Sequence, residues 1–264
     1  MAALVKLLSS NKGLAATWSA TSAVATLPPA NLGDANRQRV WRSTGLASPE
    51  RIVADLGSAL ALDAVALVSH NLRTAATVTI KANTADSWGA PAFSVAFTIY
   101  DDKDTDVVVK VLASTQTYRY WAIEMTDAGA PDGYFEIGVA VLSPLFSFGD
   151  APNELHFSVV DPSVVAYAPS GTPQTEERTP YAQVDLEWTA LTEATVFGDL
   201  QAVLRDLGRK KDGVLVVFAS DPAADDISKS LTLYGRLVDL QRFEAFGAQG
   251  GPRWRWPMTF RESL

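Results

Sequence analysis

The sequence predicts a mainly β protein in two units: an antiparallel jelly-roll sandwich over residues 1–148, and a tail-tube-like β-sandwich or barrel with one α-helix over 149–264. Three observations carry this expectation. Up to Phe148, apolar runs of strand length recur every ten or so residues, separated by clusters of Gly, Pro, Asn, Asp and Ser. Beyond Gly149, two segments alternate apolar and polar residues strictly, the period of a strand with one wet face. Only one stretch, about 193–207, carries an apolar stripe of helical period.

In chain order, the first unit offers RIVADLG (51–57), DAVALVSH (63–70), ATVTIKAN (76–83), FSVAFTIY (93–100), VVVKVL (107–112) and RYWAIEM (119–125) as strands. The acidic run DDKDTD (101–106) reads as a solvated turn. The unit boundary falls at LFSFGDAPNE (145–154), where Gly149, Asp150 and Pro152 cluster. In the second unit, AQVDLEWT (182–189) places Ala182, Val184, Leu186 and Trp188 on one face. Val196, Leu200, Val203, Leu204 and Leu207 then share a helical stripe, with Thr192 as N-cap and Gly208 as the left-handed stop. The cations at 209–211 suit the negative end of that helix. VLVVFAS (214–220) and SLTLYGRLVDL (230–240) read as further strands. The last, RWRWPMTFR (253–261), has Trp254, Trp256, Met258 and Phe260 on one face and Arg253, Arg255 and Arg261 on the other; Pro257 places it at an edge or a bulge. The polar stretch 168–180, with three prolines, is too long for a tight hairpin and reads as a functional or mobile loop.

Composition removes many functions. With Lys plus Arg at 22 against Asp plus Glu at 30, the net charge of −8 argues against binding nucleic acid, whose phosphates need concentrated cations. The absence of cysteine removes disulfides, thiolate catalysis and Cys-based metal sites. The start of the sequence lacks the marks of a secretory leader, and the longest apolar tract, 52–68, is broken by Asp55 and Asp63; a soluble chain made in the cytoplasm is expected. No phosphate-binding loop, dinucleotide fingerprint or nucleophile elbow occurs. The two histidines, His70 and His156, read as structural, hydrogen-bonded groups. The acidic run fails as a calcium loop, because Val107 falls where the sharp turn needs Gly and Ala113 where a bidentate Glu is required. No catalytic residue, metal site or cofactor is indicated, and no enzyme is expected. Trp121, Trp188, Trp254 and Trp256 read as core, whereas Trp88, in NTADSWGAP, lies in a polar loop.

Several segments resemble the discoidin-like (galactose-binding-like) jelly roll: NLGDANRQRVWRS (31–43), IVADLGSALALDAVALV (52–68), TYRYWAIEM (117–125) and FEIGVAVL (135–142). VALVSHNL and PDGYFEIG resemble the version found in tail and baseplate proteins of long-tailed bacteriophages. The element order of 152–264 resembles the tail-tube and distal-tail fold. The resemblance implies a structural virion component of a tail tip or baseplate, made in the host cytoplasm, assembling into a six-fold or three-fold ring and docking other tail proteins. It also suggests where contacts would lie. An exposed edge, the 168–180 arm with Glu176, Glu177 and Arg178, and the row Arg253, Arg255 and Arg261 are features a ring could use; an ordinary solvated face with intrachain salt bridges explains the arginines equally well. The alternative is a carbohydrate-binding module that contacts a host-surface glycan through Asn71, Arg73 and Trp88. Neither reading involves nucleic acid or membrane insertion.

Overall fold

The computed structural model describes residues 4–47, 49–100, 106–148, 152–167, 169–170, 172–193, 195–207, 212–218, 231–239, 244–248 and 251–263. The first half supplies β1 (Leu4–Leu8), β2 (Thr17–Ala20), β3 (Trp41–Arg42), β4 (Glu50–His70), β5 (Thr77–Asn83), β6 (Phe93–Phe97), β7 (Val107–Thr126), β8 (Glu136–Ser143) and β9 (Phe146–Ser147). The second supplies β10 (Glu154–Val160), β11 (Val164–Tyr167), β12 (Pro173–Glu176), β13 (Tyr181–Leu191), β14 (Gly213–Phe218), β15 (Leu231–Asp239), β16 (Glu244–Ala248) and β17 (Gly251–Glu262). Between β13 and β14 lies a longer helical segment, wound as a π-helix over Thr195–Leu200 and continuing as α1 (Gln201–Leu207). The Thr192 hydroxyl accepts the Thr195 N–H at 3.3 Å, as expected of the N-cap; Gly208 and the cations at 209–211 lie outside the described residues. All but Asp106 of the acidic run also lie outside them.

Four of the expected strands are halves of two long ones. RIVADLG and DAVALVSH join in β4, and VVVKVL and RYWAIEM join in β7. The two pair antiparallel with register shifts between Asp55 and Leu60 and between Leu62 and Ala64. Gly57, at φ 75°, supplies the left-handed backbone that the first irregularity needs. Around it residues 57–59 are exposed while both ends of β4 are buried, so the sequence shows two apolar runs where the backbone continues unbroken.

The bend divides the sandwich into two layers. In front, the first part of β4 pairs with β2 and the last part of β7, and β7 pairs with β5, which pairs with β6. Behind, the last part of β4 lies between the first part of β7 and β8, with β3 on the far side of β8. Trp41, Ile52, Ile80, Trp121, Ile123, Leu67 and Ile137 fill the space between the layers.

The back layer is covered on its other face too. Ala64, Ala66, Val68, Val107, Val109, Val139 and Val141 point away from the sandwich core and pack against Leu8, Val214, Val216 and Tyr234 of a second sheet. A layer with two dry faces has no room for alternation, which is why AVALV, VVV and IGVAVL (137–142) of β8 read as unbroken apolar runs. The second sheet has the order β10-β13-β17-β15-β14-β1-β9, with β16 on β17. It therefore includes β1 and β9, so the first few residues and Phe146–Ser147 lie in the sheet of the second unit rather than in the sandwich expected to span 1–148. On its far face, Val196, Leu200, Val203 and Leu207 of the helical segment close a third core with Leu186, Leu215 and Phe260. In that core Phe148, Trp188 and Trp256 cluster with their rings nearly parallel, the centroids 4.4, 5.6 and 6.0 Å apart.

Polar contacts edge the seam between the units. The Tyr234 hydroxyl donates to the Ala35 carbonyl at 2.8 Å, and burial pushes its pKa up. Arg37 donates to Ser69 Oγ at 2.7 Å and to the Ser263 carbonyl at 3.1 Å, beside Glu262 at 3.4 Å. Shared cores couple unfolding. Urea denaturation followed by tryptophan fluorescence and by circular dichroism should show one transition for both units. Leu8→Ala should destabilise that common transition by about 2–5 kcal/mol, and Tyr234→Phe by about 1 kcal/mol; two separable transitions would refute the coupling.

Candidate functional site

The site is an uncovered part of the second sheet. Strand β10 forms one edge and pairs with β13 without a shift, Leu155 opposite Leu186, Phe157 opposite Val184 and Val159 opposite Ala182. Its apolar side chains therefore share the face on which β13 and β17 bury their core residues. Leu186 and Val184 are buried, whereas Leu155 is 37 %, Phe157 48 % and Val159 65 % exposed. The apolar face thus runs one strand beyond the cover that the described residues provide. On the opposite, wet face lie Glu154, His156 and Ser158; His156 is exposed, 3.6 Å from Glu154, rather than a packed structural residue. His70 meets expectation, its Nδ1 accepting the Leu72 N–H at 3.2 Å.

From β10 the chain runs into a separate two-stranded sheet, β11 with β12. Part of the stretch expected to be loop, 168–180, is thus strand. Val165 pairs with Thr175 and Tyr167 with Pro173, which makes one face of the hairpin largely apolar and puts Gln174 and Glu176 on the other. Its base is closed by Ser163, whose hydroxyl accepts the Arg178 N–H at 2.9 Å while its own N–H donates to Asp161 at 2.9 Å. Both strands are exposed throughout, Tyr167 at 73 %. Among the described residues, every large exposed hydrophobic side chain lies between Leu155 and Tyr167. Such a concentrated apolar surface marks an interaction site. The edge also lacks the usual protections against pairing, since β10 contains no lysine, proline or bulge.

The residues expected at the assembly surface divide. Arg255 makes a two-pronged pair with Glu187, both contacts at 2.7 Å, and this holds the Glu187 carboxyl below its usual range. Arg261 stacks over Tyr181 with its guanidinium carbon 4.7 Å from the ring centre. These two belong to the wet face of β13 and β17, as an intrachain salt-bridge face would. Arg178 pairs with Glu176 at 2.8 Å on the hairpin. Glu177 and Arg253 are exposed and have no ion-pair partner among the described residues. Sequence reasoning missed Leu155, Phe157 and Val159, although the alternation in ELHFSVV carried them; what it could not carry was that no described residue covers that face.

In the first unit, Asn71 and Arg73 brace one loop. Asn71 donates to Asp132 and to the Tyr134 carbonyl, both at 3.0 Å, and accepts the Glu136 N–H at 2.8 Å. Arg73 grips Asp127 at 2.6 and 2.9 Å, and the Gly129 N–H adds a bond to the same carboxylate. The Arg73 guanidinium, with help from that amide, holds the Asp127 carboxyl below its ordinary range. Trp88 lies apart from this pair. It is half-buried, its indole N–H donates to Asp86 at 2.6 Å, and Arg51 lies 5.9 Å from its ring centre. Arg51 and Lys81 both pair with the nearly buried Glu124 on the outer face of the front layer.

Among the described residues, no group of three or more His, Asp or Glu side chains could hold a metal ion, and no helix is long and apolar enough to cross a membrane. A polar cavity of about 340 Å³ at the seam is lined by Asn36, Arg37, Gln38, Asp212, Arg236 and Ser263. Its charged groups are paired, Arg236 with Asp212 at 3.1 Å and Arg37 with Glu262.

No protein-family profile and no curated protein matches the chain. Solved structures similar to it cover about half of it. Chitosan-binding module 1 from a chitosanase/glucanase of Paenibacillus sp. IK-5 matches at 22 % identity over 50 % of this chain and 97 % of that one, with a TM-score of 0.39. The lectin domain of lectinolysin, complexed with Lewis B antigen, matches at 12 % identity over 52 % and 98 %, with a TM-score of 0.43. A Streptococcus pneumoniae fucose binding module matches at 11 % identity over 50 % and 94 %, with a TM-score of 0.42.

The loop brace is testable by pH. A carboxylate with a depressed folded pKa stabilises the fold above its unfolded pKa, and that contribution disappears as pH falls through the folded value. Arg73→Met should raise the Asp127 pKa toward the ordinary value in a carbon-detected NMR titration. The variant should also lose stability at neutral pH and show less further loss on acidification. An unchanged Asp127 titration would show that Arg73 does not set it.

Proposed function

We propose that this chain is a non-enzymatic structural subunit that assembles with copies of itself through the β10 edge. The observation that supports this reading is the run of Leu155, Phe157 and Val159, which continues the core face of the sheet past its own cover. Buried apolar area drives association, and an uncovered continuation of a core is a surface that a neighbour completes. The setting proposed is the tail tip or baseplate of a long-tailed bacteriophage, as the sequence resemblance implies. There the second unit would build a three-fold or six-fold ring, and the sandwich would face other tail proteins. Sedimentation across a concentration series should give a discrete oligomer well above the 28.3 kDa chain mass. Phe157→Asp should return it to monomer with its circular dichroism intact. A wild-type chain that stays monomeric at high concentration would sink the proposal.

A second reading, glycan contact by the sandwich, is favoured by Trp88, an aromatic ring partly open to solvent beside Arg51. Sugar rings stack on such faces and take hydrogen bonds from neighbouring charged groups. Asn71 and Arg73 fit it less well, because their hydrogen-bonding groups are already engaged with the 127–136 loop. On a glycan array, Trp88→Ala should abolish any signal while Asn71→Ala disturbs the loop; an array blank for the wild-type chain removes this reading.

A further inference from the structure

The polar cavity at the seam has its hydrogen-bonding groups out of balance. The first unit contributes residues 35–38 to its wall, and the second contributes Asp212, Arg236 and Ser263. The acceptors are taken. The Ala35 carbonyl receives the Tyr234 hydroxyl at 2.8 Å, and the Asn36 side-chain oxygen receives the Gln38 N–H at 3.0 Å. Asp212 accepts from Arg236 at 3.1 Å and from the Ser263 hydroxyl at 2.6 Å, while the Ser263 carbonyl accepts from Arg37 at 3.1 Å. Glu262, next in the chain, accepts the Ala182 N–H at 2.9 Å and pairs with Arg37.

Donors are left over. A guanidinium offers five N–H groups. Arg37 places Nε on Ser69 and Nη1 on Ser263 and Glu262, but its Nη2 reaches only Asp106, at 3.7 Å, beyond hydrogen-bond distance. Arg236 places Nε and Nη2 on Asp212, and its Nη1 makes no hydrogen bond among the described residues. The Asn36 Nδ2 group, oriented by the bond its oxygen accepts, is likewise unengaged among them. Arg37 is also held firmly, its side chain only 13 % exposed. Its anchor Ser69, at φ 52°, donates its N–H at 2.9 Å to the carbonyl of Asp106, at φ 49°. Two bonded non-glycine residues in the left-handed region are strained, and such strain gathers at ligand clamps. Gly138 on β8 makes room for the loop, since a Cβ there would lie 2.4 Å from the Arg37 carbonyl oxygen.

We propose that this cavity is a binding site for a small carboxylate, with Arg37, Arg236 and Asn36 as its donors. A wall with spare donors and occupied acceptors needs a ligand group that only accepts, which is an oxyanion. A singly charged carboxylate suits it better than phosphate, because each arginine already has an acid beside it and a second negative charge would meet Glu262 and Asp212. The planar carboxylate also matches the fork of a guanidinium. At about 340 Å³ the cavity lies at the small end of ligand pockets, which run from roughly 300 to 1,000 Å³, and has room for a single sugar acid. It includes neither the β10 edge nor Trp88, so it stands apart from both functional readings above. A ligand here touches both units, and its binding therefore stabilises their joint.

The test titrates the full chain with glucuronate and acetate, and with inorganic phosphate and uncharged glucose for comparison. Binding is read from the arginine side-chain N–H signals by NMR and from the unfolding temperature. The expected result is a saturable shift of the Arg37 and Arg236 signals with glucuronate and, more weakly, with acetate. The unfolding temperature should rise with it, and glucose should do neither. Arg236→Met should weaken glucuronate binding about tenfold or more, as losing a charged hydrogen bond does. Asn36→Ala, in an exposed loop, should weaken it several-fold with circular dichroism unchanged, and decides the matter alone if the arginine variant does not fold. Tighter binding of phosphate than of either carboxylate would overturn the ligand class, and equal binding of glucose would overturn the oxyanion argument. Affinity unchanged in the folded variants would place the anion elsewhere and overturn the site. So would the absence of a saturable shift with every probe.

Discussion

Everything in this molecule is arranged around a layer that water cannot reach from either side. The back layer of the sandwich, made by the last part of β4, the first part of β7 and β8, has Val65, Leu67 and Ile137 on one face and Ala66, Val68, Val107 and Val139 on the other. Its side chains need two partners, the front layer and the second sheet, and removing either exposes a full apolar face. The units are therefore two layers that share a third, and the polar contacts of Arg37 and Tyr234 close the rim of a joint that apolar burial already holds.

Such a joint has a functional meaning. Contacts between domains are usually small and polar and permit relative motion, whereas here Leu8, Val214, Val216 and Tyr234 are buried against the sandwich. Whatever binds the β10 edge is thus mechanically connected to whatever the sandwich touches. Among the described residues the large exposed apolar side chains lie within 155–167, on β10 at the sheet edge opposite β9 in strand order and on the hairpin that follows, so a contact made there leaves the joint undisturbed.

The elements were largely legible in the sequence, and their assignments to layers were not. Alternation in 182–189 placed Val184, Leu186 and Trp188 correctly on the buried face, and the helical stripe of Val196, Leu200, Val203 and Leu207 meets that face as expected. Periodicity failed where the backbone bends without breaking, at Gly57, because exposed residues in mid-strand look like a turn. It failed again at β1, since LVKLL carries no mark of a partner more than two hundred positions away. The site was least legible of all. Leu155, Phe157 and Val159 have the pattern of a half-buried strand, and their exposure follows from what the rest of the chain leaves uncovered. Surface polar groups left two readings open in the sequence, and the structure decides for Arg255 and Asn71, which Glu187 and the 127–136 loop already occupy.

The placement of β1 also sets a timetable. Leu4–Leu8 is held between β9 and β14, and β14 ends at Phe218. At ribosomal speeds of about 5–20 residues per second, roughly 10–40 s separate the synthesis of the first strand from that of its second neighbour. For that interval the sandwich can close its own interior, yet Ala66, Val68 and Val139 still face water, and the leading strand has only the two residues of β9 to hold it. The nascent chain thus carries a temporary adhesive face that disappears once the second sheet arrives. Crowded polysomes, chaperone supply and the pace of translation through residues 150–218 therefore bear on the yield of this protein in a way that the finished molecule, with that face sealed, no longer reveals.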